Sequence, residues 1–150
     1  MSGARVRTAG AADLDAWVAM RQALWPDSDA VELRDEAQGI LRDTADVTAF
    51  VAEVGGQVVG LVECSLRCEY VNGTLNSPVG FLEAWYVAPE WRGQGIGRAL
   101  VAAVEAWTLR HGCGELASDA LLDNRDSQAA HAACGFEETE RVVYFRKALR

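Results

Sequence analysis

Residues 79–110, VGFLEAWYVAPEWRGQGIGRALVAAVEAWTLR, decide how the rest of the chain is read. Phe81, Leu82, Ala84, Trp85, Tyr86 and Val87 are apolar at both parities, the pattern of a strand covered on both faces. Pro89 stops it, and Arg92-Gly93-Gln94-Gly95-Ile96-Gly97 supplies a glycine-rich turn. Ile96, Leu100, Val104, Trp107 and His111 then recur at helical spacing, giving one face to lay on a sheet. Glycines at alternate positions leave backbone N–H groups uncovered at a helix start, where the helix dipole favours an anion. Arg92 and Arg98 bracket them. The run reads as strand, diphosphate cradle, helix. Its spacing is neither the dinucleotide fingerprint GxGxxG nor a Walker A loop, which needs a following Lys-Ser/Thr. The bland alternative is a strand-to-helix turn that binds nothing.

Upstream, residues 5–8 form a short opening strand. Leu14, Trp17, Val18, Arg21, Leu24 and Trp25 give a first helix, with Asp13 and Asp15 in its first turn and Trp25-Pro26 ending it. Asp29 followed by Glu32 reads as a capping box for a second helix carrying Leu33, Ala37, Ile40 and Leu41 inward. Residues 48–54 and 57–67 are strands joined at Gly55-Gly56, a hairpin signal. A polar loop around Asn72-Gly73-Thr74 and Asn76-Ser77-Pro78 precedes the central strand. Downstream, residues 115–119 are another strand, and Asn124 caps a helix that Gly135 terminates. Residues 136–146 close the chain as one or two strands. Phe50, Trp17 and Trp107 belong to the core. No repeat or linker divides the order β-α-α-β-β-β-α-β-α-β, so residues 1–150 are expected to form a single α/β domain (α+β), a mixed central sheet flanked by helices.

A chain of 150 residues, half of them hydrophobic, buries a real core. No 18-residue apolar run and no signal-peptide pattern are present, so a soluble cytoplasmic protein is expected. Cys64, Cys68, Cys113 and Cys134 form no CxxC pair and only two histidines accompany them, so buried reduced thiols are expected and no metal site. A net charge of −8 points away from nucleic acid and anionic membranes and towards a cationic partner, with plain solubility as the alternative. Lys147 is the one lysine, so a lysine-based phosphate patch is not available.

The run with Arg92, Gly95 and Gly97 resembles the coenzyme A motif, [R/Q]xxGx[G/A], of the GCN5-related N-acetyltransferases, and the element order is similar across essentially the whole chain. The resemblance implies that acetyl-CoA binds here. Its diphosphate would lie on Gly93, Gln94, Gly95, Ile96, Gly97 and Arg98 beside Arg92. Its pantetheine arm would pair with the backbone of Trp85, Tyr86 and Val87 and meet Asn124 and Ser127. It further implies direct attack by an amine within one ternary complex. An alkyl ammonium has a pKa of roughly 10, so a carboxylate, directly or through water, must take its proton. Glu83 is the sole charge in an otherwise apolar strand; an arginine from a neighbouring element pairing with it is the alternative. Asp119 ends the next parallel strand, unless it merely caps a turn, so both acids are expected at one strand-end crevice.

Within the superfamily, Glu69-Tyr70-Val71-Asn72-Gly73-Thr74 and Ser77-Pro78-Val79-Gly80-Phe81-Leu82-Glu83 look like the aminoglycoside 6′-N-acetyltransferases. So do Leu24-Trp25-Pro26-Asp27-Ser28, Ala117-Ser118-Asp119-Ala120 and the segment Glu138-Thr139-Glu140-Arg141-Val142-Val143-Tyr144-Phe145. That likeness implies an antibiotic site lined by Trp25, Tyr70, Glu83, Asp119 and Glu140, with resistance as its biological result. Carboxylates with aromatic faces suit a sugar polycation. Trp25 as core, Tyr70 as loop cover and Glu140 as a solvated residue are the respective alternatives. Many of these transferases carry a tyrosine, to protonate the coenzyme A thiolate, where this chain has His131; a histidine could donate that proton, and the alternative on an apolar helix face is a hydrogen-bonded packing residue. A homodimer is also implied, with Val142-Val143-Tyr144-Phe145 pairing across subunits. The rival expectations are the same fold acting on another amine or a protein N-terminus, and a catalytically idle acyl-CoA-binding module.

Overall fold

Gly55 and Gly56, both at positive φ (55° and 82°), fold the chain back between β2 (Val47–Val54) and β3 (Gln57–Arg67), where the sequence places a hairpin. The computed structural model describes residues 3–43 and 45–150. β1 (Arg5–Thr8) pairs antiparallel with β2, and β3 pairs antiparallel with β4 (Val79–Val87). β4 then pairs in parallel with β5 (Leu116–Ala117), so one mixed sheet runs β1-β2-β3-β4-β5. The helices are α1 (Leu14–Leu24), α2 (Ala30–Arg42), α3 (Ile96–Arg110) and α4 (Arg125–Ala133).

Both faces of the sheet are covered, as the apolar run of β4 requires. Ile96, Leu100, Val101, Val104 and Trp107 of α3 pack on Phe50, Ala52, Val62, Cys64 and Leu82. On the opposite face Trp17 and Met20 of α1 and Ala37 of α2 cover Ala49, Val51 and Leu61. Trp17, Leu61, Leu100 and Val104 have no exposed surface, and each such aliphatic side chain contributes about 1.5–3 kcal/mol. Gly80 sets the strand-to-helix distance: a Cβ there would sit 2.5 Å from Thr108 Oγ1. Asp29 caps α2 by accepting from the Val31 N–H at 2.7 Å, although the expected capping box is not completed, since Glu32 makes no return bond among the described residues; Asn124 caps α4 through the Ser127 N–H at 3.1 Å.

Five local expectations change. His111 lies just past α3, exposed, with its ring 4.3 Å from Trp107 instead of in the core. Asp13 does not serve a helix dipole; it is buried, and it accepts from both Arg7 Nη atoms and from the Gly10 N–H. Cys68 is exposed, although Cys64 and Cys113 are buried thiols and all four cysteines are free. The closing strand over 136–146 is not formed: the chain beyond α4 has no regular structure and is almost wholly exposed. A strand exists only with a ladder partner, and β5, two residues long, is shorter than the 115–119 expected.

Candidate functional site

The ladder between β4 and β5 ends at Phe81↔Ala117. Beyond it the two strands separate, with Leu82 and Glu83 on one side and Ser118 and Asp119 on the other. On its other edge β4 stays paired with β3, but the register passes from Glu63↔Ala84 to Cys64↔Leu82. Glu83 is therefore the extra residue of a β-bulge. A bulge bends its strand and re-aims one side chain, and this one falls where β5 leaves.

The Glu83 carboxylate is held by β3. Arg67 donates from Nη2 to Oε1 at 2.8 Å and from Nε to Oε2 at 3.0 Å, and the Ser65 hydroxyl donates to Oε2. Arg67 also stacks on Phe81, its Cζ 3.5 Å from the ring centroid. The arginine pairing weighed as the alternative for Glu83 is thus present. It leaves the carboxylate a third exposed, at 33%. Three accepted bonds leave one lone pair on Oε1 for a further donor. Asp119 is exposed and has no hydrogen-bond or ion-pair partner among the described residues. It does not cap a turn. Next to Glu83, burial pushes the Cys64 thiol up to about 12, with Glu83 and Glu63 adding to the rise, so this sulfur stays protonated.

The cradle takes the expected form. α3 begins at Ile96 with Gly95 as its N-cap, in the left-handed region (φ 85°), and no side chain caps the first turn. Its leading N–H groups are left for a ligand. Gly93 is also at positive φ (77°), and Gly97 lies under the Trp85 indole, whose Nε1 donates to the Gly97 carbonyl at 3.2 Å. Arg92 braces the loop by donating from Nε to the Val87 carbonyl at 2.8 Å, with its Cζ 5.6 Å from the Tyr86 ring centroid. Arg98 turns towards α4, where Nη2 donates to the Ala133 carbonyl. Gln94 and Ile96 differ: Gln94 is exposed, whereas the Ile96 side chain is core, leaving only its backbone to a ligand.

α4 closes the site from the β5 side. His131 Nδ1 donates to the Ser127 carbonyl at 2.7 Å, because a carbonyl only accepts. In the neutral ring Nε2 then accepts from the Ser118 hydroxyl, also at 2.7 Å. The ring meets Trp85 and Phe136 edge-on at 5.1 Å each. His131 thus ties β4, β5 and α4 together, the packing role read from its helix face. Asn124 and Ser127 lie at the start of this helix, the Asn124 side chain engaged as the cap.

The aromatic and acidic rim is spread over three segments. Trp25 ends α1, 37% exposed, with Arg21 Cζ 5.2 Å from its ring centroid, so it is not core. Tyr70 is 73% exposed on the 68–78 loop. Glu115 fixes this loop by accepting from the Leu75 and Asn76 N–H groups, and these bonds, Leu75 first, hold its carboxyl below the usual range. Glu140 lies in the tail, which touches the same loop: a Cβ on Gly73 would sit 2.1 Å from Thr139 Oγ1. Sequence reasoning missed Ser65, Arg67 and Ser118. The signal available for the first two was parity, since both stand on the β3 face that meets Glu83.

The Acetyltransferase (GNAT) family profile matches residues 14–136. The aminoglycoside N(6′)-acetyltransferase type 1 of Stenotrophomonas maltophilia is 51% identical over 148 residues, covering 99% of this chain and 95% of the relative. The enzyme of the same name from Serratia marcescens is 49% identical, covering 91% and 94%. Among solved structures, AAC(6′)-Iy in complex with the bisubstrate analog CoA-S-monomethyl-acetylneamine superposes with a TM-score of 0.92 at 38% identity, covering 97% and 98%. The aminoglycoside 6′-N-acetyltransferase AAC(6′)-Ih from Acinetobacter baumannii gives 0.91 at 44%, covering 99% and 100%.

Proposed function

The chain belongs to the acetyltransferase (GNAT) family, and from that premise we propose that it transfers acetyl from acetyl-CoA to the 6′-amino group of aminoglycosides, conferring resistance to them. The observation that carries this reading is the bulge. It sets Glu83 at the mouth where β4 and β5 part, on the strand that leads into the uncapped turn of α3. The residues fit the cofactor: free N–H groups at a helix N-terminus and two positive-φ glycines admit a diphosphate without a side chain in the way.

Acetyl-CoA supplies an activated acyl carbonyl; the protein supplies position and a route for a proton. Gly93, Gln94, Gly95, Ile96, Gly97 and Arg98 hold the diphosphate, and Arg92 keeps their loop in place. The unpaired edge of β4 through Trp85, Tyr86 and Val87, with Asn124 and Ser127 opposite, guides the pantetheine arm. The open lone pair of Glu83 accepts from the 6′-ammonium, while Arg67 and Ser65 fix the carboxylate's direction. Glu83 and Asp119, the latter without a partner among the described residues, together hold the ammonium and steer its deprotonation, directly or through water. Trp25, Tyr70 and Glu140 bound the sugar. Acetylation removes one cation and one donor from the drug.

The test is thiol release from acetyl-CoA with kanamycin. Glu83→Gln keeps the shape and removes the charge, so turnover falls about 100-fold while acetyl-CoA affinity changes less than twofold. Unchanged kanamycin acetylation removes Glu83 from the mechanism. Wild-type protein that releases thiol only with other amines, or with none, replaces the reading with one of its rivals.

Residues 1–150 act as one catalytic domain, and the protein works in the cytoplasm, where acetyl-CoA and reducing conditions suit four free cysteines. No helix among the described residues is long and apolar enough to cross a membrane. It works as a homodimer. Val143, Tyr144, Phe145 and Leu149 are 73–92% exposed on a tail without a ladder partner, and a second copy of this chain supplies one.

A further inference from the structure

We propose that the acceptor site continues past Glu83 into an acidic cleft beside α2, where Glu36 and Asp43 hold a second ammonium group of the acceptor and Arg21 donates to one of its oxygens. This rests on the aminoglycoside reading above and extends it to the part of the molecule that is not acetylated.

A cavity of about 350 Å³ lies between the C-terminal half of α2 and strands β2, β3 and β4. Ser65 and Glu83 form one wall, so it is continuous with the mouth already described; Glu36 and Asp43 line it from α2. Its charges do not cancel. Glu63 is matched by Arg21, and Glu83 by Arg67. Among the described residues Glu36 has only Arg21 Nη1 at 3.7 Å, beyond hydrogen-bond reach, and Asp43 accepts only from the Ala45 N–H, at 3.3 Å. Two carboxylates without a close cation line a concave surface sized for a small ligand.

The second observation is Arg21 itself. The residue is 4% exposed, and Nε and Nη2 each donate to Glu63 at 2.7 Å. Nη1, the remaining corner of the fork, turns to the Glu36 side of the cavity and has no hydrogen-bond partner among the described residues. A buried donor without an acceptor carries a desolvation cost that a ligand oxygen removes. The two features together select the occupant. A metal ion is disfavoured, since no group of three His, Cys, Asp or Glu converges among the described residues. A plain polyamine offers no oxygen to Nη1. A ring with both an ammonium and a hydroxyl or ether oxygen satisfies the acids and the donor at once. An amino sugar beyond the acetylated ring has that chemistry.

The experiment compares kanamycin with 6-amino-6-deoxyglucose, which has a single ammonium, in wild type and in the Glu36→Gln/Asp43→Asn double variant. Both positions are exposed, so the variant is expected to fold, and circular dichroism and Tm are measured to check it. The expected result is that the ratio of kcat/KM for kanamycin to that for the monoamine falls at least tenfold, through the KM for kanamycin. Calorimetric kanamycin affinity falls by the same factor. An unchanged ratio overturns the proposal. So does a parallel loss with both acceptors, which is the mark of a general field and not of a subsite. Wild-type protein that turns over neither acceptor overturns the aminoglycoside reading, and this proposal with it.

Discussion

Replacing Gly95 with alanine isolates the backbone requirement of the cradle. Gly95 sits at φ 85° and ψ 4°, and nothing lies within 4 Å of the position a Cβ would take. Steric clash is therefore absent, and the substitution acts through φ alone. An alanine that keeps this conformation costs about 1–2 kcal/mol. At roughly 2–4 °C per kcal/mol for a domain of this size, Tm falls by about 2–8 °C. An alanine that relaxes to negative φ instead turns the 95–96 peptide and takes the Ile96 N–H off the diphosphate. A hydrogen bond to a charged group is worth about 1.5–3 kcal/mol, so acetyl-CoA affinity then falls roughly 10- to 100-fold. Calorimetry with acetyl-CoA and a thermal melt, run on one preparation, measure both. Gly95→Asn, which tolerates the left-handed region, shows a smaller effect. Gly114→Ala, at a glycine without positive φ and with open space around it, shows none. A Gly95→Ala protein with wild-type Tm and acetyl-CoA affinity within twofold would refute the assignment of these amides to the cofactor.

Two further outcomes follow from other parts of the fold. Arg7 holds the Asp13 carboxyl below its ordinary value of 3.8, so the pair's contribution is complete above that pH and is lost as pH falls through the depressed folded value. Asp13→Asn should lower stability by about 2 kcal/mol at pH 7 and by measurably less at pH 3, where part of the contribution is already gone; urea unfolding at both values checks it, and a constant gap contradicts the sign. Deleting residues 141–150 removes the exposed apolar tail and should convert the proposed dimer to a monomer that still binds acetyl-CoA, read by analytical ultracentrifugation against the full chain; a truncated chain that stays dimeric places the interface elsewhere.

Periodicity was enough for the elements whose reasons are local. The Gly55-Gly56 turn, the α3 face from Ile96 to Trp107 and the Asp29 cap each depend on neighbours within a few residues, and each stands where the sequence puts it. The bulge was not legible. It arises because β3 pairs with β4 in two registers, a fact about residues about 20 positions apart that no periodicity within β4 records. The closing strand failed for a related reason: the apolar run Val142-Val143-Tyr144-Phe145 states that it can pair, and not with which edge.

Glutamates 63 and 83 make the sharper case, because the sequence treats them alike. Each is a single acid inside an apolar strand, and the reasoning that a lone buried charge needs a partner or a cleft applies to both. Glu63 receives three donors, from Trp17 Nε1 and from Arg21 Nε and Nη2, all at 2.7 Å, and is only 3% exposed. It ties α1 to the sheet. Glu83 also receives three donors, yet it stands on the bulge at the end of the β4–β5 ladder and keeps a lone pair at an accessible edge. What separates a structural acid from a chemical one here is not the count of partners but a one-residue slip in register. That slip turns a paired carboxylate outward, with its direction fixed by Arg67 and Ser65, and so gives an ammonium a fixed target at a water-accessible mouth.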